Sequence, residues 1–385
     1  MELKVEVVSE EIVNPSSPTA DGLRRYQLSF FDQINPPLYN SLVYFYPKLC
    51  DTDVDKITIF DRLKQSISNA LTYFYPLAGR MSEDKLFVDC NDEGIPFVEA
   101  RVKCQFSGVL NNPVPKELNK LLPFEIHGDH KVLLGIQFNV FDCGGIGIGV
   151  CVSHKIGYAL SFFSFVKTWA AVARGETKLI GPEFESASLF SPRDLPGFTP
   201  RISQLKTEQL ITKRFVFGAT KVEEIRRTYS DNNNRTRPTR VEALSAFIWD
   251  RLITATGIKS RPDTLFMTNH MVNIRPRIEP PLPESSFGNL FSFSLTIPST
   301  EGNIVSQMRD SIKAVNKEYV KKIQDGYNHL DCFKEKAASY GKREIVAFTF
   351  TSLCKFPLLG LNFDEMAKFD SDEELLAYVD APKSL

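Results

Sequence analysis

The stretch IQFNVFDCGGIGIGVCVSHKIGYALSFFSFVKTWAAVARG, residues 136–175, constrains the fold more than any other. Ile136, Phe138 and Val140 alternate with Gln137 and Asn139, the period of a half-buried strand. Beyond the FDCGG turn, Ile146, Ile148, Val150 and Val152 share one strand face, and Gly147, Gly149, Cys151 and Ser153 share the other. A glycine-lined face predicts that something approaches it closely. These glycines fall two apart and never spell GxGxxG, so a dinucleotide loop is not indicated. From Leu160 the pattern turns helical, with Phe162, Phe165, Val166 and Trp169 on one side and Gly175 as the stop. His154 therefore lies between a strand end and a helix start, where side chains face a crevice and ligands collect.

Elsewhere the periodicities are plainer. Leu63, Ile67, Leu71 and Phe74 recur at helical spacing, and Pro76 and Gly79 end that helix. The proline-rich run from 176 to about 215 breaks the pattern and reads as a long crossover. This divides the chain into 1–180, a linker at 181–212, and 213–385. KRFVFG at 213–218 and REIVAFTFTSL at 343–353 read as strands. Thr239 and Glu242 have capping-box spacing ahead of VEALSAFIWDRL. Met308, Ile312, Val315, Tyr319 and Ile323 predict one long helix, and the tail FDEMAKFDSDEELLAYV is acidic and amphipathic.

At 385 residues the chain can bury a large core, and two domains are expected. Its net charge of −1, with no basic run interleaved with aromatics, argues against a nucleic-acid or anionic-membrane partner. Thirty Phe and twelve Tyr suit large apolar interiors or pockets. No signal-peptide pattern opens the chain and no apolar run is long enough for a membrane span, so a cytoplasmic protein is expected. The seven cysteines are scattered without CxxC spacing, which predicts reduced thiols. Asn234-Arg235-Thr236 matches a glycosylation sequon by pattern only.

Five histidines bound the chemistry. His127 and His130 sit in a polar HGDH loop with no third ligand near in sequence, so no metal is expected. His270 and His329 have no local partner pattern. GxSxG and GxxxxGK[ST] are both absent, which removes a nucleophile elbow and a P-loop. From its residues alone, His154 is open to two readings, a packed imidazole or a working base.

Five collinear stretches bear on that choice: LSFFDQ (28–33), YPLAGR (75–80), HKIG (154–157) with the helix after it, TRVEALSAFIW (239–249) and VNIRPRIEPPLPESSFGNLF (272–291). In this order they resemble the plant BAHD acyltransferases, in particular their alkaloid-acetylating branch. The resemblance implies an α/β fold of two similar chloramphenicol-acetyltransferase-like domains with mixed sheets, joined by the crossover, with a channel between them. It implies transfer of an acyl group, acetyl by this branch, from an acyl-CoA co-substrate to a hydroxyl of a plant specialised metabolite such as an alkaloid. No bound cofactor is implied, and a monomer is expected. His154 would be the general base, and an imidazole suits that work because it titrates near neutral pH.

Two departures accompany the resemblance. The family motif is HxxxD, and the fifth residue here is Tyr158. The family's aspartate pairs with an arginine that matches Arg275, with Arg277 second, so a phenol here leaves that guanidinium without its counter-charge. The family's DFGWG loop is also missing, and FPLLG runs directly into LNFDEMAKF, as if a block after Gly360 had been removed from the second domain. The resemblance thus leaves a second reading open: a repurposed or inactive homologue serving as a binding protein or as a cyclisation or elimination catalyst. For CoA phosphates, the helix opening at Thr239 and Arg240, flanked by Arg235 and Arg237, offers free N–H groups and positive charge, and a solvated capped helix explains it equally well.

Overall fold

The computed structural model of the chain describes residues 2–46, 53–111, 113–125, 131–196, 198, 210–230, 237–255, 264–299, 302–327, 344–354 and 374–382. Mixed sheets and helices form two compact units. The first comprises Met1–Leu210 together with Glu284–Asn289, and the second Ile211–Pro283, Leu290–Lys355 and Asp370–Leu385.

The first unit contains β1 (Val5–Val13), β2 (Arg25–Gln27), α1 (Phe30–Ile34), β3 (Tyr39–Tyr46), α2 (Asp53–Tyr73), β4 (Arg80–Met81), β5 (Phe87–Asp89) and β6 (Ile95–Val102). It continues with α3 (Phe106–Asn111), α4 (Pro115–Leu118), β7 (Leu134–Phe141), β8 (Ile146–Ser153), α5 (Ala159–Ala173) and α6 (Ser186–Leu189). Its main sheet runs β1-β6-β7-β8-β3, with β6 and β7 parallel and the other neighbours antiparallel. A small sheet of β2, β5 and β4 lies beside it in the chain.

The helical spacing at 63–74 is realised in α2, whose Leu63, Ile67 and Leu71 are buried along with Phe74. They face α5, where the buried Trp169 donates its indole N–H to Ser66 Oγ at 2.9 Å. After α5 the chain turns at Gly175, with φ +77°, and the N–H groups of Gly175 and Glu176 close back on the carbonyls of Val172 and Ala171.

The strand β7 corrects one expectation. Alternation predicted a half-buried strand, but β7 and β8 are covered on both faces. The polar positions are buried because the 119–122 turn lies over them. Gln137 Nε2 donates to the Lys120 carbonyl at 3.0 Å, and Asn139 Nδ2 donates to the carbonyls of Leu121 and Gly147, each at 3.0 Å. That turn is also what approaches the glycine face, since a Cβ on Gly149 would collide with the Leu121 carbonyl.

The second unit contains β9 (Leu210–Gly218), α7 (Ala219–Thr228), α8 (Arg240–Ala255), β10 (Thr264–Asn273), β11 (Phe291–Thr296), α9 (Ile304–Ala314), α10 (Lys317–Gln324), β12 (Glu344–Phe350) and β13 (Glu374–Pro382). β10 is central to a sheet ordered β11-β10-β12, antiparallel to β11 and parallel to β12, while β13 pairs with β9. Trp249 and Ile253 of α8 and Met308 of α9 form a cluster with Phe266, Phe348 and Phe350 packed against it. The single long helix expected over 308–323 is two helices. Asn316 breaks it by turning extended and accepting from the Tyr319 N–H at 2.9 Å, which starts α10 afresh.

Among the described residues, five cysteines are free thiols, no helix is long and apolar enough to cross a membrane, and no group of three metal-ligating side chains converges. The HGDH loop, His329, Asn234–Thr236 and residues 355–373, where the missing block would fall, lie outside the described residues.

Candidate active site

The residues around His154 are held mainly by their backbone. β8 ends at Ser153, α5 begins at Ala159, and HKIGY turns the chain between them. The His154 N–H donates to the Leu38 carbonyl at 2.8 Å, and its own carbonyl accepts from Asn289 Nδ2 at 2.7 Å. Lys155 is buried and donates its ammonium to the carbonyls of Gln33 and Asn35 at 2.9 and 3.0 Å. Asn40 Nδ2 donates to the Gly157 carbonyl at 3.0 Å.

The short helix α1 supplies a second part of this arrangement. Ser29 caps it and Asp32 closes the capping box, the spacing carried by LSFFDQ. Asp32 is fully buried. Its Oδ2 accepts from Ser29 N at 2.9 Å and Ser29 Oγ at 2.6 Å, and its Oδ1 accepts from Asn289 N at 3.1 Å and Asn289 Nδ2 at 2.8 Å. Asn289 arrives at the end of the segment Glu284–Asn289. That segment is tied down by Ser161 of α5, which exchanges hydrogen bonds with both the N–H and the carbonyl of Gly288.

His154 is half-buried, and the atoms packed around it still remove enough water to set its charge. Desolvation pushes the imidazole down to about 4, with the Lys155 charge acting the same way, while bonds from its own backbone and the Asn289 side chain oppose the fall. The ring is therefore neutral at pH 7, the form that can accept a proton. Burial holds the Asp32 carboxyl above the usual carboxylate range, and the bonds from Ser29 and Asn289 offset only part of that rise.

The other residues singled out by sequence fall as follows. Tyr158 is the N-cap of α5 and its side chain makes no capping bond. Arg275 belongs to the second unit, buried in the turn after β10, with its N–H on Asn273 Oδ1 at 3.1 Å and its carbonyl accepting from Leu282 N at 3.1 Å. Arg277 is half-buried, and desolvation lowers its pKa from the ordinary arginine value. Thr239 and Arg240 are exposed at the start of α8. There the Thr239 N–H donates to Glu242 Oε2 at 2.8 Å, and Arg309 holds both oxygens of that carboxylate at 2.8 Å. Desolvation pushes Glu242 up, but the bonds from Arg309 and Thr239 outweigh it and keep it ionised. The helix start thus carries its own anion, which a phosphate would have to meet.

Sequence reading gave no role to Asp32 or Asn289. The Ser-x-x-Asp spacing signals a cap, but nothing local shows that the carboxylate's other oxygen is taken by a residue 257 positions away.

Two histidines set a pH dependence of stability. His270 on β10 is buried, stacks on Phe350 at 5.1 Å, and is pushed down to about 4 by desolvation, against a smaller pull from Glu242. Above pH 6.5 both rings are neutral whether folded or unfolded and contribute nothing. Below it the unfolded chain takes up protons that the folded chain refuses, so stability falls until about pH 4. The melting temperature is expected to drop by several degrees between pH 7 and pH 4.5, and His270→Gln to make that drop shallower. An unchanged slope in the variant would mean that His270 is not held neutral.

A model of the transferase family matches residues 3–365. Stemmadenine O-acetyltransferase of Catharanthus roseus is 33% identical over 375 residues, spanning 94% of this chain and 86% of that protein. Limonoid 21-O-acetyltransferase of Melia azedarach is 36% identical over 366 residues, spanning 92% and 85%. The crystal structure of vinorine synthase superposes with a TM-score of 0.82 at 31% identity, covering 99% of this chain and 95% of that one. With the family model, two relatives and a solved structure all matching across nearly its whole length, the chain belongs to the transferase family, the BAHD acyltransferases.

Proposed function

We propose that the protein transfers an acetyl group from acetyl-CoA to a hydroxyl of a plant specialised metabolite, with His154 as general base. The observation that carries this reading is a neutral, half-buried imidazole at the end of β8, its backbone held on both sides. The acceptor oxygen attacks the thioester carbonyl as His154 takes its proton. The tetrahedral adduct then collapses, the carbon–sulfur bond breaks, and the imidazolium returns the proton to the leaving thiolate, giving an ester and free CoA. Holding both substrates together supplies a large part of the acceleration. Relatives are named for acetylating stemmadenine and a limonoid, so alkaloid and limonoid alcohols form the first acceptor panel. The test is release of CoA from acetyl-CoA in the presence of that panel, with ester formation confirmed by mass. Acetyl-CoA left intact with every member would overturn the reading.

Tyr158→Asp bears on the departure from HxxxD. Aspartate is a far better N-cap than tyrosine, worth about 1 kcal/mol, so the variant is expected to melt higher. Turnover is expected to rise as well, because aspartate restores the family's HxxxD motif after His154. A variant that melts higher but turns over more slowly would show that this enzyme depends on the phenol.

A further inference from the structure

We propose that Asp32 and Asn289 are positioning residues for His154: the carboxylate orients the carboxamide, and the carboxamide holds the backbone and the ring of the base. This rests on His154 being the base.

Each of the four groups bonded to Asp32 is a donor: two N–H groups and two side-chain groups, from Ser29 and Asn289. Four donors match the acceptor capacity of an ionised carboxylate, whereas a protonated one would turn an O–H against them. Asn289 is then left one orientation. Both hydrogens of its Nδ2 are committed, one to Asp32 Oδ1 and one to the His154 carbonyl, and a flipped amide would set oxygen against oxygen at both places. Asn289 Oδ1 is buried and accepts no hydrogen bond among the described residues, and the Asn289 side chain favours the protonated form of the His154 ring. Oδ1 is the atom left to do so. As the imidazole takes a proton from the acceptor, the new N–H charge finds an oxygen that was aimed beforehand and needs no reorganisation. Lys155, the next residue, brings a positive charge to the ring, and Asp32 acts on it through Asn289.

Asn289 can serve here because its segment is pinned independently of Asp32. Ser161 bonds Gly288 at 2.9 and 3.0 Å, Ser286 Oγ donates to Glu185 Oε1 at 2.9 Å, and Phe287 packs edge-on against Phe74 and Phe184. Gly288 has φ +133° and no room for a Cβ beside Ser186, so the chain is drawn in tightly just before Asn289. None of these groups is the residue at position 158.

The test uses the full chain with ring-labelled histidine, the His154 resonance being assigned with His154→Gln, and reads its pKa by NMR alongside cleavage of acetyl-CoA. The double variant Asp32→Asn/Asn289→Asp keeps one donor–acceptor pair between the two positions but puts a carboxylate beside the ring and removes the donor to the His154 carbonyl. It is expected to melt above either single variant, to raise the pKa of His154 by about one unit or more, and to cut kcat by at least tenfold with KM for acetyl-CoA nearly unchanged. A folded double variant with an unmoved His154 pKa and unaltered kcat would overturn the proposal. Asn289→Ala, which only truncates, is expected to lower both the pKa and kcat, and unchanged values would overturn it equally. The failure of the catalytic reading looks different: His154→Gln would retain turnover, whatever the resonance does.

Discussion

His154→Ala lowers kcat for acetyl transfer by about 10²–10⁴-fold, with KM for acetyl-CoA changed little. The range corresponds to about 3–5 kcal/mol of transition-state stabilisation, the contribution of one well-placed proton acceptor. Both substrates still bind, because the ring is small, half-buried and joined to the fold through its backbone. The hydrogen bonds to Leu38 and Asn289 survive the truncation, so the melting temperature at pH 7 stays near that of the native chain. The acid limb of the pH–rate profile, expected near the depressed value of about 4, disappears with the ring. Steady-state release of CoA from acetyl-CoA, measured across pH with an accepted alcohol, checks all three. A variant as active as the native chain would remove His154 from the reaction and favour a repurposed pocket.

Gly149→Ala destabilises the fold by about 3 kcal/mol, the upper part of the range for overpacking. The added methyl points at the Leu121 carbonyl, and what must move is backbone, not the end of a flexible side chain. That backbone is held where it is: the Leu121 carbonyl accepts from Asn139 Nδ2, and the Lys120 carbonyl accepts from Gln137 Nε2. Lifting the turn breaks both bonds, and each of the two buried amides loses one of its acceptors. Gly147→Ala is the control, since its Cβ would meet only ring and methyl carbons at 3.3 Å or more. Chemical denaturation of the two variants side by side measures the contrast, and equal stabilities would mean that the turn does not press on β8.

Much of the first unit was legible because its signals are local. The spacing of Leu63, Ile67, Leu71 and Phe74 is a property of one helix, and Gly175 marks the end of another by supplying the positive φ that a side chain disfavours. The same reasoning failed at Asn316, whose neighbours Val315 and Tyr319 keep the apolar rhythm across a break. There a single side-chain oxygen starts a new helix, and periodicity does not register it. In β7, Gln137 and Asn139 read as a solvent face because polar residues usually lie outside; buried hydrogen bonds to the 119–122 turn reversed this.

For the candidate site the division is sharper. By itself the sequence determined the family, through five short stretches met in order along the chain, and the end of β8 with His154 as the place to look, through strand and helix signals in adjacent residues. Only the tertiary structure decided the ring's charge at neutral pH and the company it keeps. Desolvation depends on every atom packed around the imidazole, and the bond from Asn289 to Asp32 spans 257 residues. A hydrogen bond is a matter of distance and direction in space, and separation along the chain carries neither.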